Sequence, residues 1–180
     1  MAKRSARHAS HALTVRRAKS GHGWILVPPR AVRDRAEDLE EVRAMIDAGE
    51  PEIAVDELRW LLSDCSEMIE AHFLLGKLAV EVDHDLPLAR GHFGCGYQLG
   101  LQALRRANMP TPVPALHPAN RPFFDAGRGL AWSLHQLDKT PMAIEVVEQL
   151  LTLDSDDPLG LAGWLDELRT GGLPLVEWKQ

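Results

Sequence analysis

The stretch LARGHFGCGYQLG, Leu88 to Gly100, places four glycines, a histidine and a cysteine within thirteen residues. Three kinds of chemistry or packing use such a composition. A phosphate-cradling loop needs its glycines in a turn between a strand and a helix N-terminus. Gly91, Gly94, Gly96 and Gly100 fit neither G-x-G-x-x-G nor G-x4-G-K-[ST], and no strand signal precedes them. A metal site is the second option, because His92 and Cys95 stand at i, i+3. A structural zinc takes about four ligands, however, and His72, His84, His117 and His135 are scattered without paired spacing. The third option is the glycine-rich face of a packed helix. Each interior glycine costs a helix about 1 kcal/mol relative to alanine, so a close neighbour must offset it. Gly96 and Gly100 share the stripe of Ala89 and Phe93, where such a neighbour is expected, whereas Gly91 and Gly94 fall off that stripe.

Other reactive patterns are absent. There is no G-x-S-x-G nucleophile motif, and neither cysteine has the electropositive setting of a thiolate. Asp83, Asp85, Asp154, Asp156 and Asp157 cluster in turn sequences, where carboxylates cap helices or stay solvated. A more distinctive segment is PANRPFFDAGRGLAW, Pro118 to Trp132. Asn120 before Arg121-Pro122 marks a helix entrance, and Phe123 and Phe124 are placed to staple the preceding loop to the body. Arg128, Trp132 and His135 then recur at i, i+4, i+7 on one helix face, a pairing of cation and aromatic that suits a binding anchor.

The elements that would position these residues read as helices throughout. Leu39, Val42, Met45 and Ile46 set a helical period from Ala36, and Gly49 and Pro51 punctuate its end and the next start. Further helices are predicted over about 51–62, 69–82, 88–107, 123–137, 140–153 and 158–168, with no convincing strand. Residues 108–122 hold five prolines and read as an irregular crossing loop. Residues 1–22 lack apolar periodicity and are expected to be disordered, WILVPPR (24–30) to be an extended segment docked on the body, and LPLVEW (173–178) to pack on the end of the stack.

The helical pairs recur. Ala54, Leu58 and Leu61 match Ala143, Val147 and Leu150, and Ala89, Phe93 and Gly96 supply the middle copy. Ala54 to Ala89 is 35 residues; Ala89 to Ala143 is 54, one period near 34 plus the proline-rich insertion. Leu75-Gly76 followed by Ala89-x3-Phe93, and Leu130-Ala131 followed by Ala143-x3-Val147, resemble the L-G and A-x3-F signatures of the tetratricopeptide family. The resemblance covers roughly residues 35–168, with Glu41-Val42 replacing L-G in the first copy and Ser155 standing where proline is usual.

That resemblance implies an all-α solenoid of about three stacked helical hairpins closed by a capping helix. The domain organisation expected is an arm over 1–35, a helical domain over 36–170 with its insertion at 108–122, and a tail over 171–180. In this family the first helices of the hairpins line a concave groove that takes peptides. By the same register Arg43 and Lys77 join Arg128, Trp132 and His135 there, with Phe73 as an apolar contact. The basic clamp that some members use for a terminal carboxylate is not matched, since Leu39 and Phe73 hold positions where it needs polar residues.

Charge and composition bound the function classes. Residues 1–35 carry nine Lys/Arg against one acid, Asp34, so a segment of net +8 leads a body of net −14, the whole chain being −6. Such an arm suits a solubilising tail, a weak nucleic-acid contact or an organellar transit segment. The two cysteines, Cys65 and Cys95, read as buried free thiols in a reducing compartment, and no apolar run approaches membrane-spanning length. The expectation is a non-catalytic, cytoplasmic interaction module without cofactor, taking a protein or peptide partner. The alternatives are a nucleic-acid adaptor working through the arm, a metal-dependent protein using His92 and Cys95, and self-association through WILVPP or Trp178.

Overall fold

The computed structural model describes residues 12–171. Two strands, β1 (Thr14–Arg17) and β2 (Trp24–Val27), precede eight helices in the described chain. These are α1 (Arg30–Arg33), α2 (Ala36–Asp47), α3 (Pro51–Asp64), α4 (Ile69–Glu81), α5 (Leu86–Arg106), α6 (Arg121–Gln136), α7 (Thr140–Leu153) and α8 (Leu161–Thr170). From α2 onward each helix packs on the next, and α4 also packs on α6 across α5. The architecture is thus predominantly helical, with successive helices joined by short turns except at the proline-rich loop. No helix among the described residues is long and apolar enough to cross a membrane.

The periodic apolar residues do become the interior. Ala54, Leu58 and Leu61, then Ala89 and Phe93, then Ala143, Val147 and Leu150 are all buried. One apolar cluster joins α2, α3 and the inner face of α4, and a second runs from α4 through α8. Helix α4 serves both, sending Leu74, Leu75 and Leu78 one way and Ile69 and Ala79 the other.

The glycines of the opening stretch divide as their positions on the helix require. A Cβ on Gly100 would lie 2.2 Å from the Phe123 ring of α6, and one on Gly96 would meet the Ala126 methyl at 3.2 Å. The Phe93 ring is itself held between two glycines: a Cβ would approach it to 2.6 Å from Gly76 of α4 and to 2.7 Å from Gly129 of α6. Gly91 faces open space, and Gly94 has only a Leu130 methyl at 3.7 Å. Cys95 is exposed and Cys65 half-buried, which corrects the expectation of buried thiols. On a helix of 100° per residue Cys95 lies far around from Phe93, so the packed stripe leaves it outside.

The N-terminal segment departs further from the sequence reading. Residues 14–27 form an antiparallel hairpin in the register Thr14↔Val27 to Arg17↔Trp24, where the sequence predicts disorder and no strand. WILVPPR is docked as expected, with Ile25 and Leu26 buried, but as the inner strand of this hairpin. The hairpin forms because the distant proline-rich loop supplies the bonds that its own sequence lacks. The outward edge of β2 is met by Pro112, whose carbonyl accepts from the Trp24 amide at 2.8 Å, and by Asn120, whose Oδ1 accepts from the Leu26 amide at 2.9 Å. Asn120 also donates from Nδ2 to the carbonyls of Trp24 (3.0 Å) and Pro114 (2.9 Å). It precedes α6 as predicted, yet its side chain makes no cap and is spent on this tertiary network. Asp154 pins the other end of the loop, accepting from the Ala115 amide at 2.7 Å, and the Leu153 carbonyl accepts from Val113.

The last helix starts at Leu161 rather than Pro158 because Asp157 holds the amides of Leu161 (2.6 Å) and Ala162 (2.9 Å). Residues 1–11 of the expected arm and 172–180 of the expected tail lie outside the described residues.

Three outcomes in urea unfolding follow. Gly100→Ala lowers stability by about 1–3 kcal/mol through overpacking on Phe123, whereas Gly91→Ala raises it by about 1 kcal/mol through helix propensity. Asn120→Ala lowers it by about 3 kcal/mol, since the buried Leu26 amide and two carbonyls lose their partner.

Candidate functional site

Alternate helices α4, α6 and α8 leave a hollow of about 420 Å³ between them. Phe73, Lys77, Val80 and Glu81 reach it from α4, Asp125, Arg128 and Trp132 from α6, and Trp164 from α8. These positions follow from helical spacing: 73, 77 and 80 share one face of α4, and 125, 128 and 132 one face of α6. The floor is the buried Phe93 ring, with the Phe73 ring 6.0 Å from it centre to centre. The hollow exists because Gly129 carries no side chain where α6 passes over Phe93.

The sequence-expected groove residues separate into two groups. Phe73, Lys77, Arg128 and Trp132 all line this hollow. Arg43 and His135 do not. Arg43 of α2 is drawn to Glu70 of α4 as an ion pair, away from the hollow. His135 lies one turn beyond Trp132, where its Nδ1 shares a hydrogen bond with the Thr140 hydroxyl at 2.9 Å. Sequence reasoning missed Trp164 as a wall of this hollow. Local spacing does not reveal it, because the place of α8 is decided by how it packs on α7.

The rim charges are nearly balanced. Lys77 lies 3.8 Å from Glu81, and Arg128 lies 3.7 Å from Asp125. Both separations are longer than a hydrogen bond. Asp125 is already held at 2.9 Å through both carboxylate oxygens by Nε of Arg121. Arg128 therefore shares its nearest carboxylate with Arg121, and it lines the hollow with three aromatic side chains, Phe73, Trp132 and Trp164. Cation and aromatic side chains together favour anchoring of a partner in a partly desolvated setting.

A second, larger hollow of about 600 Å³ lies between α5 and α7 over α6. Cys95, Gly91 and Gly94 line one side, and Met142, Glu145 and Gln149 the other. The Tyr97 phenol at its floor is pushed up to about 12 by burial, and its ring stacks on Phe123.

His92 and Cys95 diverge from each other. Cys95 faces this second hollow, while the His92 ring turns toward His72 of α4 at 6.1 Å. Among the described residues no three of His, Cys, Asp and Glu converge as metal ligands would. The histidine pair has a different consequence. Burial lowers the pKa of both His72 and His92, and each also feels a neighbouring cation, His92 for His72 and Arg59 for His92. His72 Nδ1 is buried without a partner, while Nε2 lies 3.3 Å from the Ser66 carbonyl.

No family model, curated protein or solved structure matches this chain.

The lowered histidine pKa values set a pH dependence. The unfolded chain binds protons near pH 6.5, and the folded chain resists them. Stability is therefore full above about pH 6.5 and falls as the pH drops through that value. Urea midpoints at pH 7.5 and 5.5 measure this, and His72→Gln reduces the difference between them. An unchanged difference would show that His72 is not the responsible group.

Proposed function

We propose that this protein is a non-catalytic peptide-binding module of tetratricopeptide-like construction. In this reading α2/α3, α4/α5 and α6/α7 are three stacked hairpins and α8 caps them. The first helix of each hairpin then faces one common side, and the hollow among α4, α6 and α8 is the concave binding groove. The observation that carries the reading is the lining itself. Side chains from three alternate helices, far apart in sequence, converge on one open surface with Phe73, Trp132 and Trp164 around an apolar floor. Apolar walls with a few convergent polar groups are the usual make-up of a ligand site. The periodic spacing of Ala54, Ala89 and Ala143, with Gly76 and Gly129 at the close contacts, supports the repeat assignment.

The partner is a protein segment that buries an apolar or aromatic side chain over Phe93 and offers an acid to Arg128. Capture of partners from a lysate of the source cells by the immobilised chain tests this. Arg128→Glu and Trp132→Ala each abolish capture while leaving the helical circular dichroism unchanged. Arg43→Glu leaves capture intact, because Arg43 is occupied by Glu70 outside the groove. Capture that survives both groove substitutions would defeat the reading.

A further inference from the structure

One wall of the groove, Trp164, stands about two helical turns before the point where the described chain stops. Trp164, Leu168 and Gly171 recur at i, i+4, i+7, so the chain leaves α8 on the same stripe that puts Trp164 in the groove wall. Gly171 has a left-handed conformation, φ 66°, which ends the helix and turns the chain away from its axis. From Trp164 to Gly171 the helix rises about 10 Å. A chain turned back along α8 recovers that distance in about four extended residues.

Residues 172–180 follow, GLPLVEWKQ, outside the described residues. Four of them are apolar: Leu173, Leu175, Val176 and Trp178. By the length just given, the chain over 175–178 is long enough to reach the level of the groove. The solvent side of α8 offers them nothing comparable, since Ala162, Gly163, Asp166, Glu167 and Arg169 make it small or charged. The end of the stack, the docking place expected from sequence, is thus the poorer surface. The charges also fit. Arg128 shares its nearest carboxylate with Arg121, and the one acid of the segment is Glu177, between Val176 and Trp178.

We infer that the occupant of the groove is the chain's own segment Leu173 to Trp178, bound in cis, and that segments of this make-up are the class of ligand it takes in trans. This rests on the peptide-groove reading above. It adds the chemistry of the ligand: apolar residues about a proline, an acid for Arg128, and a tryptophan to lie over Phe93 between Trp132 and Trp164. A trans partner must then displace a tethered competitor present at millimolar effective concentration, which weakens its apparent affinity.

The test uses the full chain and a fluorescent peptide with the sequence of residues 171–180, followed by anisotropy. A full-length variant carrying Leu175→Asp, Val176→Asp and Trp178→Ala has its tethered competitor disabled and its helices untouched. It binds the peptide at least about 10-fold more tightly than the unaltered chain. Adding Trp132→Ala to that variant removes the binding, while its thermal melt stays cooperative. Equal affinity of the unaltered chain and the triple variant would overturn the inference, as would no peptide binding by the triple variant. Either result leaves the groove standing if capture of lysate partners still depends on Arg128 and Trp132. Loss of that dependence would remove the groove itself. Gel filtration separates the remaining case: a dimer of the unaltered chain that becomes monomeric in the triple variant places the segment in a neighbour's groove and overturns the cis assignment.

Discussion

The Phe93 ring is wedged between Gly76 of α4 and Gly129 of α6, and much of the molecule depends on that contact. A side chain at either glycine would start within 3 Å of the ring. The three helices can close to their observed spacing only because both neighbours are bare at the level of the ring. The same constraint repeats about two turns along with roles exchanged, where Phe123 of α6 lies against Gly100 of α5. Interiors are packed to crystal-like density, so such a fit fixes the relative positions of helices as well as their proximity. Fixing α4 against α6 sets the hollow between them, and the buried Phe93 ring becomes its floor. Packing and candidate site therefore share one residue.

A second, polar constraint holds the non-repetitive parts. A proline-rich loop can donate few backbone hydrogen bonds, and an isolated two-stranded hairpin is marginal in water. Each stabilises the other through Asn120, which is fully buried and satisfies three backbone groups from two segments. Asp154 ties the loop to the end of α7 through the Ala115 amide. Buried polar groups of this kind stabilise because every partner is present, and the arrangement tolerates little change.

The groove is chemically distinct from the rest of the surface. Acids dominate the body as a whole, yet the groove rim places Lys77 and Arg128 among its carboxylates and three aromatic rings at its walls. In the proposed function its near-neutral rim and apolar floor select for shape and apolar contact, with Arg128 supplying one directional charge. Arg43 shows how narrowly such a role is assigned: by register it belongs with Lys77, but the nearby Glu70 carboxylate claims it.

The sequence by itself determined the helices and their inward faces. Ala54, Leu58, Phe93, Val147 and Leu150 are buried because helical periodicity is a local property, set by residues three or four apart. It also determined that Gly96 and Gly100 need close neighbours, and that Arg128 and Trp132 share a face. Tertiary structure alone decided the hairpin over residues 14–27, because the partners of Trp24 and Leu26 come from Pro112 and Asn120, about ninety residues away along the chain. It decided that Asn120 bridges rather than caps, that Cys95 is exposed, that Trp164 completes the groove, and that Arg43 and His135 stay out of it. Each of these depends on which distant group arrives next to a side chain, and local spacing carries no record of that.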